Sequence, residues 1–203
     1  MKPEENKFHK GNGEDGKHYW LTPPELYKEL TDEFCFNYDP CPFPKPDDYD
    51  GLTSEWSTSN YVNPPFGSII GKDGKKKGPT AWARKCIEEK KKGNKSVMVF
   101  PLDKWVLMMI EHCSEIRNLG DVKWLATEDG KTGKGLGRHI ACFVLDPNRK
   151  TRKELEQEIQ KLKADREVLV YLAKMCRTIL SEDEAEMIED VARQALKSIG
   201  EIE

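Results

Sequence analysis

The sequence predicts an α/β fold with parallel strands over residues 19–147, followed by a helical tail over residues 148–203. Three observations lead to this prediction. Short β-prone runs alternate with segments whose apolar residues recur at helical spacing, which is typical of helices packed on a sheet with parallel strands. The run over residues 96–100 is almost continuously apolar and is closed by Pro101, as expected of a strand buried on both faces. Beyond Asp146-Pro147-Asn148 only the helical periodicity remains.

Composition limits the class of protein. The chain has 203 residues, of which 37% are hydrophobic and 34% charged, and this length suits one domain with an appendage. Residues 1–18 are rich in Gly, Lys and Glu and are predicted to form a flexible leader. They lack the apolar core of a signal peptide, and the longest apolar run, residues 105–110, is too short to span a bilayer. We therefore expect an intracellular protein.

The first half of the predicted domain contains one helix and two strands. Thr22-Pro23-Pro24-Glu25 predicts a helix start, with Thr22 as the cap and Glu25 completing a capping box. Residues 34–38 alternate in polarity and predict a strand that ends at Asp39-Pro40-Cys41. Tyr61-Val62 predicts the next strand, and residues 67–78 predict a loop rich in glycine and lysine.

The second half continues the alternation. Helices are predicted over residues 79–92 and 105–113, strands over residues 96–100, 122–126 and 139–145, and a second glycine- and lysine-rich loop over residues 127–138. The charged run over residues 88–92 is interpreted as a solvent-facing surface.

The tail is predicted to be a long helix that carries Leu155, Ile159, Leu162 and Leu169 on one stripe. A capping box beginning at Ser181 predicts that a helix restarts there. Arg166 interrupts the stripe, which disfavours a long continuous coiled coil. Two interpretations remain: a hairpin that folds back on the core, or an element that forms a homodimer.

Asn63-Pro64-Pro65-Phe66 is the most informative motif, because it suits methyl transfer to a planar exocyclic amine. Such an amine is a poor nucleophile, since its lone pair is delocalised into the ring. The Asn63 side-chain carbonyl and the Pro64 carbonyl can both accept hydrogen bonds from it and localise the lone pair. The prolines fix φ and stiffen the turn, and Phe66 offers a flat face for a base.

The alternative is that Asn-Pro and Pro-Pro are ordinary turn residues. The preceding run Tyr61-Val62 favours the chemical interpretation, because it places the motif at the carboxyl end of a strand. Open α/β sheets bind their ligands at that edge.

The six cysteines are scattered and form no CxxC pair, so neither a disulfide framework nor a metal site is predicted.

In their order and spacing, several segments resemble the phage-type DNA N6-adenine methyltransferase (phage Dam) family. The matching segments are Trp20-x-Thr22-Pro23, Asp39-Pro40-Cys41, Gly51-Leu52 with Trp56, Asn63-Pro64-Pro65-Phe66, Trp82, the strand that ends at Pro101, and Trp105. The resemblance covers residues 19–147. It implies a Rossmann-like methyltransferase sheet, S-adenosylmethionine as methyl donor and DNA as partner, in the cytoplasm of a bacterial host if the chain is encoded by a phage or prophage.

The resemblance also implies roles for individual residues. Thr22 and Pro23 line the cofactor pocket together with Asn63, and Asp39 binds cofactor hydroxyls or the methionine amine, with a turn-forming role as its alternative. Cys41 also belongs to the cofactor-binding residues, with simple packing beneath the site as its alternative. Trp20 either stacks on an adenine ring or anchors the core. Many adenine methyltransferases carry a glycine-rich FxGxG turn after the first strand, and this chain has prolines there instead.

Two basic loops suit a DNA partner. With a net charge of −3, the chain can bind phosphates only through a local basic patch. The candidate residues are Lys72, Lys75, Lys76 and Lys77 in the first glycine loop and Lys131, Lys134 and Arg138 in the second. Solvated loop charge is the alternative for both groups.

The predicted function is methylation of adenine N6 in DNA, with the base flipped out of the duplex onto the Asn63–Phe66 turn. The same turn also suits enzymes that methylate cytosine N4, RNA adenine or protein glutamine, because all of these substrates present a planar amine. A different class of function is a non-catalytic nucleic-acid-binding or assembly module with a relic methyltransferase fold.

Overall fold

The computed structural model describes residues 19–127, 130–132, 139–179, 187 and 190–195, with side chains described only to residue 175 of the long helix. The chain divides into two compact units, residues 1–151 and residues 152–203. The first unit is a mixed α/β fold. None of its described helices, nor the described helix of the second unit, combines the length and apolarity needed to cross a bilayer.

The described residues of the first unit form three helices and eight short strands. The helices are α1 (Pro24–Phe34), α2 (Pro79–Lys91) and α3 (Val106–His112); the strands are β1 (Trp20–Leu21), β2 (Ser59–Val62), β3 (Ile69–Ile70), β4 (Lys76–Lys77), β5 (Lys95–Pro101), β6 (Glu115–Gly120), β7 (Leu125–Ala126) and β8 (Ile140–Leu145). The second unit contains α4 (Arg152–Ile179).

The central sheet has the strand order β2-β5-β8-β6. Strand β2 pairs with β5 in parallel, whereas β8 runs antiparallel to both β5 and β6. The parallel arrangement predicted for the sheet therefore holds for β2 and β5 and is wrong for β8. A parallel bridge from Tyr38 to Asn60 extends the sheet beyond β2.

Both faces of the sheet are buried, and the residues of each strand alternate between them. Met98 and Phe100 of β5 pack in one core with Trp82 of α2 and Met109 of α3. Val97 and Val99 of the same strand pack in a second core with Leu30 and Phe34 of α1, Trp20 and Trp124. Helices therefore cover both faces of the central strands, which explains why β8 is apolar at every position and β5 is apolar from Val97 to Pro101.

Several predicted elements are confirmed: the helices at α2 and α3, the strands at β2, β5 and β8, and the long helix that begins the tail. Arg166 does not interrupt α4, which runs through it. The predicted restart at Ser181 lies outside the described residues, as does the leader.

Three predictions of where helices, strands and loops lie are also wrong. Phe34 ends α1 instead of starting a strand, because it lies one helical turn beyond Leu30 on the buried face of the helix. Only Leu125–Ala126 of the predicted strand over residues 122–126 pairs, with Trp20–Leu21. The loop over residues 67–78 contains the β3–β4 hairpin.

Strand β6 was not predicted. Its sequence is polar because it lies at the sheet edge, where Ile116 is 40% exposed and Arg117 pairs with Glu33 of α1 and with Glu115. Such a strand is held by backbone pairing to β8 and by ion pairs, so it carries little of the apolar alternation from which strands are recognised.

The assignment of residues 88–92 to a solvent face is wrong for Glu89. This side chain is only 1% exposed and accepts hydrogen bonds from Lys92 Nζ at 2.7 Å and Asn94 Nδ2 at 2.8 Å. It also pairs with Lys85 at 2.9 Å. The carboxylate thus fixes the connection between α2 and β5.

Candidate functional site

Asn63 directly follows β2, at the carboxyl end of a strand in the parallel part of the sheet. Its Nδ2 donates to the backbone carbonyl of Trp20 at 2.6 Å and to Thr22 Oγ1 at 3.3 Å. A backbone carbonyl can only accept, so these contacts fix which end of the amide is oxygen. Asn63 Oδ1 is then left buried and without a hydrogen-bond partner.

An unpaired buried acceptor is unusual in a folded protein, since leaving one unsatisfied costs about 1–3 kcal/mol. The chain therefore holds an oriented carbonyl oxygen with free acceptor capacity at the edge of the sheet. A ligand that carries an N–H group would satisfy it if the turn opened, because protein atoms cover the oxygen in this structure.

Thr22 anchors this amide. The sequence had predicted that Thr22 caps α1, and this prediction is wrong. The N-cap of α1 is Pro23, and no side chain caps this helix. Thr22 Oγ1 instead forms hydrogen bonds with the Tyr61 hydroxyl and with Asn63 Nδ2. The capping box is lost because the hydroxyl has these two partners in the tertiary structure.

Asp39 lies at the same sheet edge as Asn63. Tyr38 pairs in parallel with Asn60, so the chain leaves the sheet after Tyr38 in the direction in which it leaves after β2. Asp39 Oδ1 accepts a hydrogen bond from the backbone N–H of Cys41 at 2.7 Å, which is the turn-forming role named as its alternative. Burial raises the pKa of Asp39 to about 6, against the lowering effect of that hydrogen bond.

The titratable groups near Asp39 are also shielded from water. Burial raises the pKa of the Tyr61 hydroxyl, and the charge of Asp39 adds to that rise. Burial also raises the pKa of the Cys41 thiol, again with a contribution from Asp39. A carboxylate in such surroundings interacts strongly with any cation or hydroxyl donor that reaches it.

Four of the segments that carry the resemblance line one pocket: Cys41, Gly51, Pro65 and Trp82, together with Tyr19. Gly51 is required there by close approach, since a Cβ would lie 1.9 Å from the Pro40 carbonyl oxygen and 2.9 Å from the Trp82 ring. Cys41 also packs against the apolar core of α2 and α3, which is the alternative named for it. The fold thus brings together segments that are far apart in sequence.

Phe66 is half-buried beside the turn, whose prolines are both buried. Its ring makes edge contacts with Phe100 at 5.0 Å and with Trp124 at 5.1 Å between centroids. These contacts fix the ring, and they give Phe66 a packing role that the sequence had not indicated.

Trp20 is 4% exposed and its ring belongs to the core. This favours the interpretation of Trp20 as a core anchor over stacking on an adenine ring.

The predicted DNA-binding residues fall into two groups. Lys72, Lys75, Lys76 and Lys77 lie on the β3–β4 hairpin, where Lys77 pairs with Asp73 at 2.7 Å. Lys131 is exposed, while Lys134 and Arg138 lie outside the described residues.

Sequence reasoning missed Tyr19 and Tyr61. The Tyr61 hydroxyl bonds to Thr22, and Tyr19 lines the pocket with a pKa that burial raises to about 12. Tyr61 was interpreted only as a β-prone residue, and nothing in its local sequence indicates its partner 39 residues earlier.

Within the described residues, no group of three or more His, Cys, Asp or Glu side chains could hold a metal ion. The five cysteines with described side chains are free thiols. No protein-family model, curated protein or solved structure matches this chain.

Proposed function

We propose that this protein transfers a methyl group from S-adenosylmethionine to the N6 amine of an adenine flipped out of DNA. The observation that carries the proposal is the Asn63 amide. Its nitrogen is held by Trp20 and Thr22, while its buried oxygen is unpaired. An exocyclic amine supplies the donor that this oxygen lacks.

The pocket has a lining of the kind that the proposed cofactor needs, but its free volume of about 20 Å³ means that its walls must move apart to admit an adenosyl group. An adenosyl group needs an apolar pocket with a few polar anchors, and Tyr19, Pro65 and Trp82 provide such a lining. Asp39 and Thr22 would hold the polar end, beside Cys41 and Pro23. S-adenosylmethionine, when bound, supplies an activated methyl group. On this proposal the mixed α/β fold is a Rossmann-like methyltransferase sheet whose cofactor pocket is built without an FxGxG turn.

The chain itself positions the base and prepares its amine. Phe66, fixed by Phe100 and Trp124, offers a ring on which an extruded adenine can stack. Asn63 Oδ1 and the Pro64 carbonyl accept the two N6 hydrogens, which favours a localised lone pair on nitrogen. Because the methyl group is already activated, no strong general base is required, and catalysis consists of positioning and electrostatics.

The test is transfer of a radiolabelled methyl group from S-adenosylmethionine to unmethylated duplex DNA, followed by nucleoside analysis. We expect label in N6-methyladenosine. Parallel reactions with RNA and with a protein substrate cover the other planar amines, and label in N4-methylcytosine would move the activity to cytosine.

Calorimetric titration with S-adenosylmethionine distinguishes an enzyme from a relic fold. We expect saturable binding to the wild-type chain. A chain that bound DNA but neither bound the cofactor nor transferred label would be a non-catalytic nucleic-acid-binding module, and the proposal would fail.

A further inference from the structure

A second cleft lies beside the pocket described above, and the mechanism does not use it. The β3–β4 hairpin forms one wall and the first turns of α2 form the other. The cleft has a volume of about 530 Å³ and shares Asp50 with the pocket. It is therefore large enough for part of an extended ligand and adjoins the proposed cofactor pocket.

Basic side chains outnumber acidic ones in its lining, although the whole chain carries a net charge of −3. The basic residues are Lys72, Lys76, Lys77, Arg84 and Lys85, and the acidic residues are Asp50, Asp73 and Glu88. The cleft is thus a local concentration of positive charge on an acidic protein.

Two of the acidic groups have partners in the fold. Asp50 accepts hydrogen bonds from the backbone N–H groups of Leu52 at 3.0 Å and Lys72 at 3.2 Å. Asp73 accepts one from the Lys75 backbone N–H at 3.1 Å and pairs with Lys77. Lys77 therefore offsets the charge of Asp73, whereas Asp50 keeps its negative charge, because backbone N–H groups are neutral.

Three cations in the cleft lack an ion pair. Lys77 pairs with Asp73 and Lys85 with Glu89, but Lys72, Lys76 and Arg84 make no ion pair among the described residues. All three are exposed. The charges of Asp50 and Glu88 in the same lining offset two of the three, so an excess of one positive charge remains for a ligand.

The first turns of α2 add to this potential. The helix begins at Pro79 after Gly78, and no side chain caps it. Thr80 and Ala81 of its first turn line the cleft, so the positive end of the helix dipole lies at the same surface as the three cations.

We infer that this cleft binds the phosphate backbone of a nucleic-acid strand, with Lys72, Lys76 and Arg84 as the phosphate contacts. Three cations on separate elements suit successive phosphates better than one small anion. The inference rests on the proposed function, because that function identifies the polyanion as a nucleic acid. It adds Arg84, which the sequence had not indicated. It excludes Lys75, which does not line the cleft.

The experiment measures binding of the full chain to a fluorescein-labelled duplex by anisotropy over a range of salt concentrations. The cleft variant is Lys76→Gln/Arg84→Gln, and the matched control is Lys28→Gln/Lys104→Gln. Both remove two positive charges, but Lys28 and Lys104 do not line the cleft. Each phosphate contact contributes about 0.9 to the magnitude of the slope of log affinity against log salt for duplex DNA. The slope of the cleft variant should therefore be shallower than that of the wild type by about 2.

The control should keep the wild-type slope. Equal losses in both variants would show that only net charge matters and would overturn the inference. Displacement of the duplex by low concentrations of inorganic phosphate would also overturn it, because the cleft would then be a site for a small anion. Binding needs no methyl transfer, so a chain that binds DNA through the cleft but transfers no label refutes the proposed function alone.

Discussion

The Asn63 amide is the residue on which the proposed chemistry depends. Removal of one preorganised hydrogen-bonding group from an active site costs on the order of a hundredfold or more in rate. We therefore expect Asn63→Ala to lose methyl transfer by at least this factor while its affinity for S-adenosylmethionine changes little. Single-turnover transfer and calorimetry measure the two effects separately.

Asn118→Ala is the matched control for that variant, because Asn118 is exposed and, among the described residues, its side chain bonds to the Gly120 backbone N–H alone. It should transfer methyl groups at the wild-type rate. Activity of Asn63→Ala within a few-fold of the control would refute the catalytic role of Asn63.

Phe66 combines packing with the proposed stacking. Phe66→Ala should weaken DNA binding by roughly 1–3 kcal/mol, the usual contribution of one stacked base. Phe66→Leu keeps apolar volume against Phe100 and Trp124 but removes the aromatic face, and Phe66→Tyr keeps both. We expect anisotropy titrations to rank tyrosine well above leucine and alanine. If leucine and tyrosine bind DNA equally well, the ring serves only to pack.

Asp39 should make the free energy of unfolding dependent on pH. Burial raises its pKa from 3.8 in the unfolded chain to about 6 in the fold. Between these values the folded state binds the extra proton, so this group contributes stability at pH 4 that is lost as the pH rises through 6. The full difference corresponds to about 3 kcal/mol.

Asp39→Asn removes this titration and keeps an oxygen for the Cys41 N–H. Urea unfolding at about pH 4.5 and pH 7 should therefore show that the variant gains stability relative to wild type as the pH rises. A constant difference between the two proteins would mean that Asp39 has an ordinary pKa in the fold.

At the scale of elements, the connection between α2 and β5 depends on Glu89. Burial acts to raise the pKa of this carboxyl, but hydrogen bonds from Lys92, Asn94 and Lys85 lower it by more, so the group stays charged. Removing one partner of a buried ion pair leaves the others uncompensated. We expect Glu89→Gln to destabilise the fold by about 1–3 kcal/mol in urea unfolding.

The neighbouring Glu88 provides the control. It is exposed and makes no ion pair among the described residues, so Glu88→Gln should change stability by no more than about 0.5 kcal/mol. Similar effects of the two substitutions would show that position 89 is as solvated as the charge pattern suggested.

The elements that could be predicted are those with a continuous apolar pattern. α2 and α3 carry continuous helical periodicity, β8 is apolar at every position, and β5 is apolar from Val97 to Pro101, because both faces of the sheet are covered there. β6 and the β3–β4 hairpin could not be predicted, because backbone pairing rather than apolar burial holds them. Backbone pairing is also what the sequence does not show after α1. The residues there alternate as in a strand, but among the described residues they pair with the sheet at Tyr38 alone.

On the scale of the whole molecule, the chain forms two compact units with different surfaces. Residues 1–151 contain both cores and every residue of the proposed site, whereas α4 exposes apolar side chains along its length, among them Ile159 at 50% and Leu172 at 50%. A truncation after Thr151 should therefore fold and transfer methyl groups. The full chain should associate or lose solubility through the apolar residues of α4.

Sedimentation velocity and transfer assays on the full chain and on the truncation test this prediction. We expect a larger assembly for the full chain and equal transfer rates per protomer. If both proteins sedimented as monomers and the truncation were inactive, the tail would be part of the active unit.

The sequence by itself determined the α/β class, the long tail helix and the position of Asn63-Pro64-Pro65-Phe66 at a strand end. These depend on local periodicity and on the residues next to the motif. Only the tertiary structure decided that β8 runs antiparallel, that Thr22 anchors Asn63 instead of capping α1, and that Arg84 joins the hairpin lysines in one cleft. Each of these depends on which distant groups meet, and a hydrogen-bonding or charged side chain takes its role from the partner that the fold places beside it.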